Sequence, residues 1–130
     1  MTMVSYVDAS ALVKLVLDEP DAFAMRRWYV EADRVACSVI GTIEVRRAVA
    51  RKVHPEDRVT DVLRSVVMLG LDAPTLARAA VVAPSSLRTL DAIHLASALT
   101  LAGELDAFVT YDDRLADAAR SLGLPVVRPA

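Results

Sequence analysis

At 130 residues, with a formal net charge of −2 and a hydrophobic fraction of 55%, the chain is sized for one domain, 1–130, that can bury a real core. The mild negative charge argues against a general nucleic-acid-binding surface. No apolar run reaches the length of a membrane span, and Met1-Thr2-Met3-Val4 lacks the basic flank and cleavage site of a signal peptide. In chain order, Val4–Val7 reads as an apolar strand, and a helix follows over Ser10–Leu17 until Asp18-Glu19-Pro20 stops it. Ala22–Glu31 is a second helix and Val35–Ser38 a second strand. Ile43–Val53 reads as a helix ended by His54-Pro55, Arg58–Val67 as another, Met68–Leu71 as a short strand, and Pro74–Val82 as a helix. After a loop over Ser85–Thr89, Thr89 caps an almost wholly apolar helix, Leu90–Leu101, which Gly103 closes. Phe108–Thr110 is a strand, Asp112 or Asp113 caps the helix Arg114–Leu122, Gly123 ends it, and Val126-Val127 is an edge strand. This alternation predicts an α/β chain with a parallel sheet covered on both faces.

Asp8, Glu44, Asp91 and Asp112 are the candidate functional residues. Asp8 ends the first strand, and Asp112 follows Phe108–Thr110 almost at once. Asp91 opens the apolar helix, and Glu44 falls in the first turn of the predicted helix from Ile43. Each has a plainer reading alone, as a helix cap or as an anion near a helix N-terminus. Together they lie where an open parallel sheet builds its sites, beyond the carboxyl ends of the strands. Carboxylates gathered there cannot all stay ionised without a cation, and hard oxygen donors suit Mg²⁺ or Mn²⁺. Such ions can activate water for phosphodiester hydrolysis. Asp113 adjoins Asp112 and could take its place. His94, one turn after Asp91, reads as a packed or hydrogen-bonded helix residue rather than a ligand. The lone Cys37, in a strand-like run, reads as a buried small hydrophobe and fits a reducing cytoplasm.

Basic residues gather in Arg46, Arg47, Arg51 and Lys52, and again in Arg26-Arg27-Trp28-Tyr29. Both clusters read equally well as phosphate contacts or as solvated helix faces. Arg88 and Arg114 adjoin the acids and could stabilise phosphate charge or brace a carboxylate. The high apolar content suggests a surface for a partner helix, with Ala11–Leu17 and the helix bearing Trp28 as its walls.

Four pieces of the chain resemble PIN-domain ribonucleases of the VapC toxin type. They are Tyr6-Val7-Asp8-Ala9-Ser10-Ala11-Leu12, Glu44 with Arg46-Arg47-Ala48, Leu87-Arg88-Thr89-Leu90-Asp91-Ala92-Ile93-His94-Leu95-Ala96, and Val109-Thr110-Tyr111-Asp112-Asp113-Arg114-Leu115. The third is the specific one, and the resemblance runs the length of the chain. It implies an α/β/α sandwich, Mg²⁺- or Mn²⁺-dependent cleavage of RNA, a family quartet at Asp8, Glu44, Asp91 and Asp112, and accompanying hydroxyls at Ser10 and Thr110. It also implies inhibition by a small antitoxin protein and a homodimer.

Other classes fit less well. A phosphoacceptor receiver domain needs an acidic pair after the first strand and a late Lys, but Ala9-Ser10 follow Asp8 and no Lys occurs beyond Lys52. A haloacid-dehalogenase-like phosphatase needs an Asp where Ser10 stands. A catalytically silent interaction domain has no need of the full acidic set.

Overall fold

A computed structural model describes residues 3–52 and 54–130. Five parallel strands form one sheet in the order β3-β2-β1-β4-β5. They are β1 (Val4–Val7), β2 (Val35–Ser38), β3 (Val67–Leu69), β4 (Leu105–Val109) and β5 (Val126–Val127). The described helices are α1 (Ala9–Val16), α2 (Ala22–Glu31), α3 (Ile40–Val49), α4 (Glu56–Arg64), α5 (Ala73–Val81), α6 (Thr89–Leu99) and α7 (Asp113–Ser121). The chain first builds outward from β1 through β2 to β3, then returns to lay β4 on the other side of β1. The order therefore reverses between β1 and β4, the position where such sheets open a crevice for ligands.

Alternation along the strands supplies two cores. On one face Val7, Cys37, Ala107 and Val109 pack with Leu12, Met25, Val45 and Val59 of the helices α1 to α4. On the other, Tyr6, Leu105 and Phe108 pack with Leu95 of α6 and Leu115 and Ala118 of α7. The expected α/β/α sandwich is the observed architecture. None of the described helices is long and apolar enough to cross a membrane.

Several expectations shift. α3 begins at Ile40, not Ile43, so it contains Gly41 and carries Glu44 beyond its first turn. Glycine weakens a helix interior, but a Cβ on Gly41 would sit 2.4 Å from the Cys37 Sγ, so α3 can dock on β2 only without one. The expected end of this helix at Val53 lies outside the described residues. α4 starts at Glu56 and stops at Arg64, because the β-branched pair Val66-Val67 leads into β3 instead. Arg88, not Thr89, occupies the N-cap of α6. β4 begins at Leu105 and ends before Thr110. Gly123 does end α7, with φ of 78° and its N–H on the Arg120 carbonyl.

The proposed partner groove is corrected. Every residue from Ala11 to Leu17 is buried within the chain, including Lys14, whose Nζ reaches the Pro20 carbonyl at 2.8 Å and lies 4.5 Å from the Tyr111 ring centre. Trp28 is half-buried against the same core. The exposed apolar residues of α2 are instead Phe23 (74% exposed) and Val30 (83%).

Candidate active site

The carboxyl ends of β1 and β4 are tied together by two hydroxyls. Asp8 follows β1 and is only 4% exposed. Its Oδ1 accepts from Ser10 Oγ at 2.7 Å and from the Ala11 N–H at 3.0 Å. Its Oδ2 accepts from Thr110 Oγ1 at 2.6 Å. Thr110 Oγ1 in turn accepts the Asp112 N–H at 3.0 Å, and Ser10 Oγ accepts the Tyr111 N–H at 2.9 Å. Both hydroxyl protons are thus committed to Asp8, and the strand-end amides are satisfied by the same oxygens. Burial pushes the Asp8 carboxyl up from its ordinary value, opposed by nearby His94 and by the bonds from Ser10, Thr110 and Ala11.

Asp112 is the N-cap of α7, its Oδ1 accepting the Leu115 N–H at 2.9 Å. Asp113 is the first residue of that helix and is exposed, with its Oδ1 engaged by Arg128 at 2.5 Å. Asp91 lies in the first turn of α6 and is half-buried. Burial raises its carboxyl, and the charges of Asp112, Asp8 and Glu44 push it further, with His94 opposing. Asp91 therefore senses all three of the other acids.

Among the described clefts, none is lined by all four. Asp91 and Asp112 line an open cleft of about 1010 Å³, together with Arg88, Asp113 and Arg114. Asp8 is buried behind Thr110. Glu44 lines an adjoining groove with Ile43, Arg47, Arg51 and Leu90. Among the described residues, no group of three His, Cys, Asp or Glu side chains is already arranged to hold a metal ion. The donor chemistry nevertheless fits a hard cation. Every candidate donor is a carboxylate oxygen, Asp8 Oδ2 keeps a lone pair beyond its single bond, and the mutual repulsion felt at Asp91 is what a cation relieves.

His94 contributes what local sequence did not reveal. It is 1% exposed, and its Nε2 lies 2.6 Å from Glu44 Oε1 while its Nδ1 lies 2.6 Å from the Tyr6 hydroxyl. The expectation that it is a hydrogen-bonded helix residue holds, but its partner is a candidate site acid. Cys37 is buried, and burial raises its thiol well above the ordinary value, so it is no nucleophile. The basic cluster divides. Arg46 pairs with Glu56 at 3.5 Å, whereas Arg47 and Arg51 are exposed on Glu44's groove with no acid paired to them among the described residues. Arg26 pairs with Asp18 at 2.8 Å.

A family profile described as "PIN domain" matches residues 5–121. Ribonuclease VapC47 of Mycobacterium tuberculosis is 38% identical over 130 residues, covering 95% of this chain and 96% of its own. Among solved structures, Mycobacterium tuberculosis VapC20, described as a sarcin-ricin loop cleaving toxin, superposes with a TM-score of 0.73 at 14% identity, covering 97% of this chain and 99% of its own. Rickettsia felis VapBC2, solved bound to a DNA fragment from their promoter, gives 0.68 at 12% identity, covering 98% and 100%.

Proposed function

The chain belongs to the PIN-domain family, among the VapC ribonucleases, and on that premise we propose that it is a metal-dependent endoribonuclease, the toxin of a toxin–antitoxin pair. The observation that carries the reading is the Thr110 hydroxyl bonded to both Asp8 and the Asp112 amide, with Asp91 near enough to sense both charges. Asp8, Asp91, Asp112 and Glu44 are the residues assigned to Mg²⁺, with Mn²⁺ as an alternative. Asp113 is excluded from the assignment because its carboxylate is turned to Arg128. When bound, such an ion supplies charge stabilisation at a phosphodiester oxygen and a water acidic enough to attack at neutral pH.

The chain's own groups prepare the rest. Ser10 and Thr110 fix both oxygens of Asp8, so that the carboxylate needs no reorganisation to meet a cation. Arg88 and Arg114, on the cleft beside Asp91 and Asp112, are placed to hold phosphate oxygens. Arg47 and Arg51 extend the positive track along the groove of Glu44, and exposed Ile43 and Leu90 offer apolar contact to bases. A single strand suits this layout, since unpaired bases can be splayed onto such contacts. We further infer a cognate antitoxin and a homodimer as partners, residues 1–130 acting as one nuclease domain. The exposed Phe23 and Val30 are apolar surface available for protein contact.

The test uses the purified chain and its Asp91→Asn variant on single-stranded RNA, with Mg²⁺ or Mn²⁺ and with EDTA. Cleavage is expected only for the wild type and only with metal. Cleavage by Asp91→Asn at the wild-type rate, or cleavage unaffected by EDTA, refutes the assignment. No cleavage by the wild type on any RNA, with no metal binding, favours a catalytically silent interaction domain.

A further inference from the structure

Glu44 is held from behind by a buried chain of polar groups that reaches the middle of the sheet. Tyr6, from the central strand β1, is 0% exposed, and its ring stacks on Phe108 with centres 5.4 Å apart. Its hydroxyl oxygen accepts the Ser38 N–H at 3.0 Å, at the carboxyl end of β2. The phenol oxygen also lies 2.6 Å from His94 Nδ1, to which its own proton can be given. His94 Nε2 faces Glu44 Oε1 at 2.6 Å, and as the partner of a carboxylate it is the donor.

Backbone packing holds the same register. Gly41 lets α3 lie against β2, and a Cβ there would stand 3.8 Å from His94 Cε1 and far inside contact distance of Cys37 Sγ. Glu44 sits less than one turn farther along α3. Its carboxylate meets the ring from α6, fifty residues away in sequence. Asp91 lies one turn before His94 on that helix, so one short segment carries a candidate ligand and the group that aims another.

We propose that Tyr6 and His94 form a positioning relay that orients the Glu44 carboxylate toward the cation of the active site. Neither residue is a ligand. The proposal rests on the ribonuclease reading above. Metal-binding groups are commonly oriented by such second partners, whose loss lowers metal affinity about 10- to 100-fold.

The experiment measures Mn²⁺ affinity of the RNA-free protein by electron paramagnetic resonance or calorimetry, with far-UV circular dichroism and a cooperative melt as checks on folding. His94→Phe fills the space without a donor and is expected to weaken Mn²⁺ binding about 10-fold or more. His94→Gln, which returns an N–H donor, is expected to recover most of the loss. Tyr6→Phe, nearly isosteric, is expected to weaken binding several-fold and to disturb the ring tautomer, read from the imidazole ¹⁵N shifts. In a Glu44→Gln background, His94→Phe should have little further effect, because the relay acts through Glu44. A folded Tyr6→Phe protein with no tautomer change and wild-type affinity overturns the proposal, as do a folded His94→Phe protein with wild-type affinity and additive effects of Glu44→Gln and His94→Phe. If the wild type itself fails to bind Mn²⁺, the ribonuclease reading falls and the relay with it. Wild-type binding with unresponsive relay variants removes the relay alone.

Discussion

Thr110→Val removes one hydroxyl and almost nothing else, and that hydroxyl joins the two central strand ends. Thr110 is 0% exposed, and valine has nearly its shape. The substitution deletes the bond to Asp8 Oδ2 at 2.6 Å and leaves the Asp112 N–H without its acceptor at 3.0 Å. A hydrogen bond to a charged group is worth about 1.5–3 kcal/mol, and an unsatisfied amide about 1 kcal/mol more, for a loss of about 3 kcal/mol. With an unfolding entropy of about 2.1 cal/mol/K per residue, a chain of this length should lose about 11 °C in Tm. Thr110→Ser keeps the hydroxyl and loses only a buried methyl, about 0.8 kcal/mol or about 3 °C.

The pH dependence has a definite sign. Burial raises the folded pKa of Asp8 above its ordinary 3.8, so ionised Asp8 burdens the fold, increasingly as pH rises through that window. The Thr110 bond offsets part of this burden. The defect of Thr110→Val should therefore be largest above the raised Asp8 pKa and shrink as pH falls through it, where a neutral carboxyl needs the donor less. Differential scanning calorimetry in EDTA from pH 3 to 8 tests both points. A Thr110→Val protein melting within about 3 °C of wild type at pH 7, or a defect that grows toward low pH, would refute the reasoning.

Asp91→Asn should stabilise the metal-free protein, since burial and the charges of Asp112, Asp8 and Glu44 raise the Asp91 carboxyl. The gain should be absent near pH 3, grow as pH rises through the raised pKa, and reverse when Mn²⁺ is added, because the wild type gains more from binding; thermal melts showing a destabilised variant in EDTA would contradict this. Replacing both Arg47 and Arg51 with Gln should lower the slope of log K against log salt for single-stranded RNA by about 1.4, at about 0.7 per phosphate contact. Arg46→Gln, already paired with Glu56, should leave it nearly unchanged, and fluorescence anisotropy between low and moderate salt separates the two. Light scattering of the isolated chain should report a dimer, and a monomer at micromolar concentration would remove that inference.

The parts of this fold that could be read from sequence are those in which a residue's role is decided by its neighbours along the chain. β1 and β2 are short apolar runs with clear ends, and they stand where expected. Asp112 caps α7, and Gly123 closes it, because both jobs depend on backbone groups within a turn. Ala11 to Leu17 shows the opposite case. An all-round apolar helix has the same composition whether a partner or its own chain covers it, and here α2, α3 and α4 belong to the core that does so. Even Lys14 gave no warning, because its ammonium finds the Pro20 carbonyl and the Tyr111 ring at the helix end. Glu44 was singled out with the other acids, yet its local reading failed. The helix was expected from Ile43, whereas it starts at Ile40 and includes Gly41, because Cys37, in another element, leaves no room for a Cβ there. Moving that helix start changes what Glu44 is. In a first turn its charge would be accounted for by free amides; one turn in, those amides are out of reach, and the partner is His94. The acid therefore depends on a ring that depends on Tyr6, which sits beside Val7 and Asp8 at the strand end where the site begins.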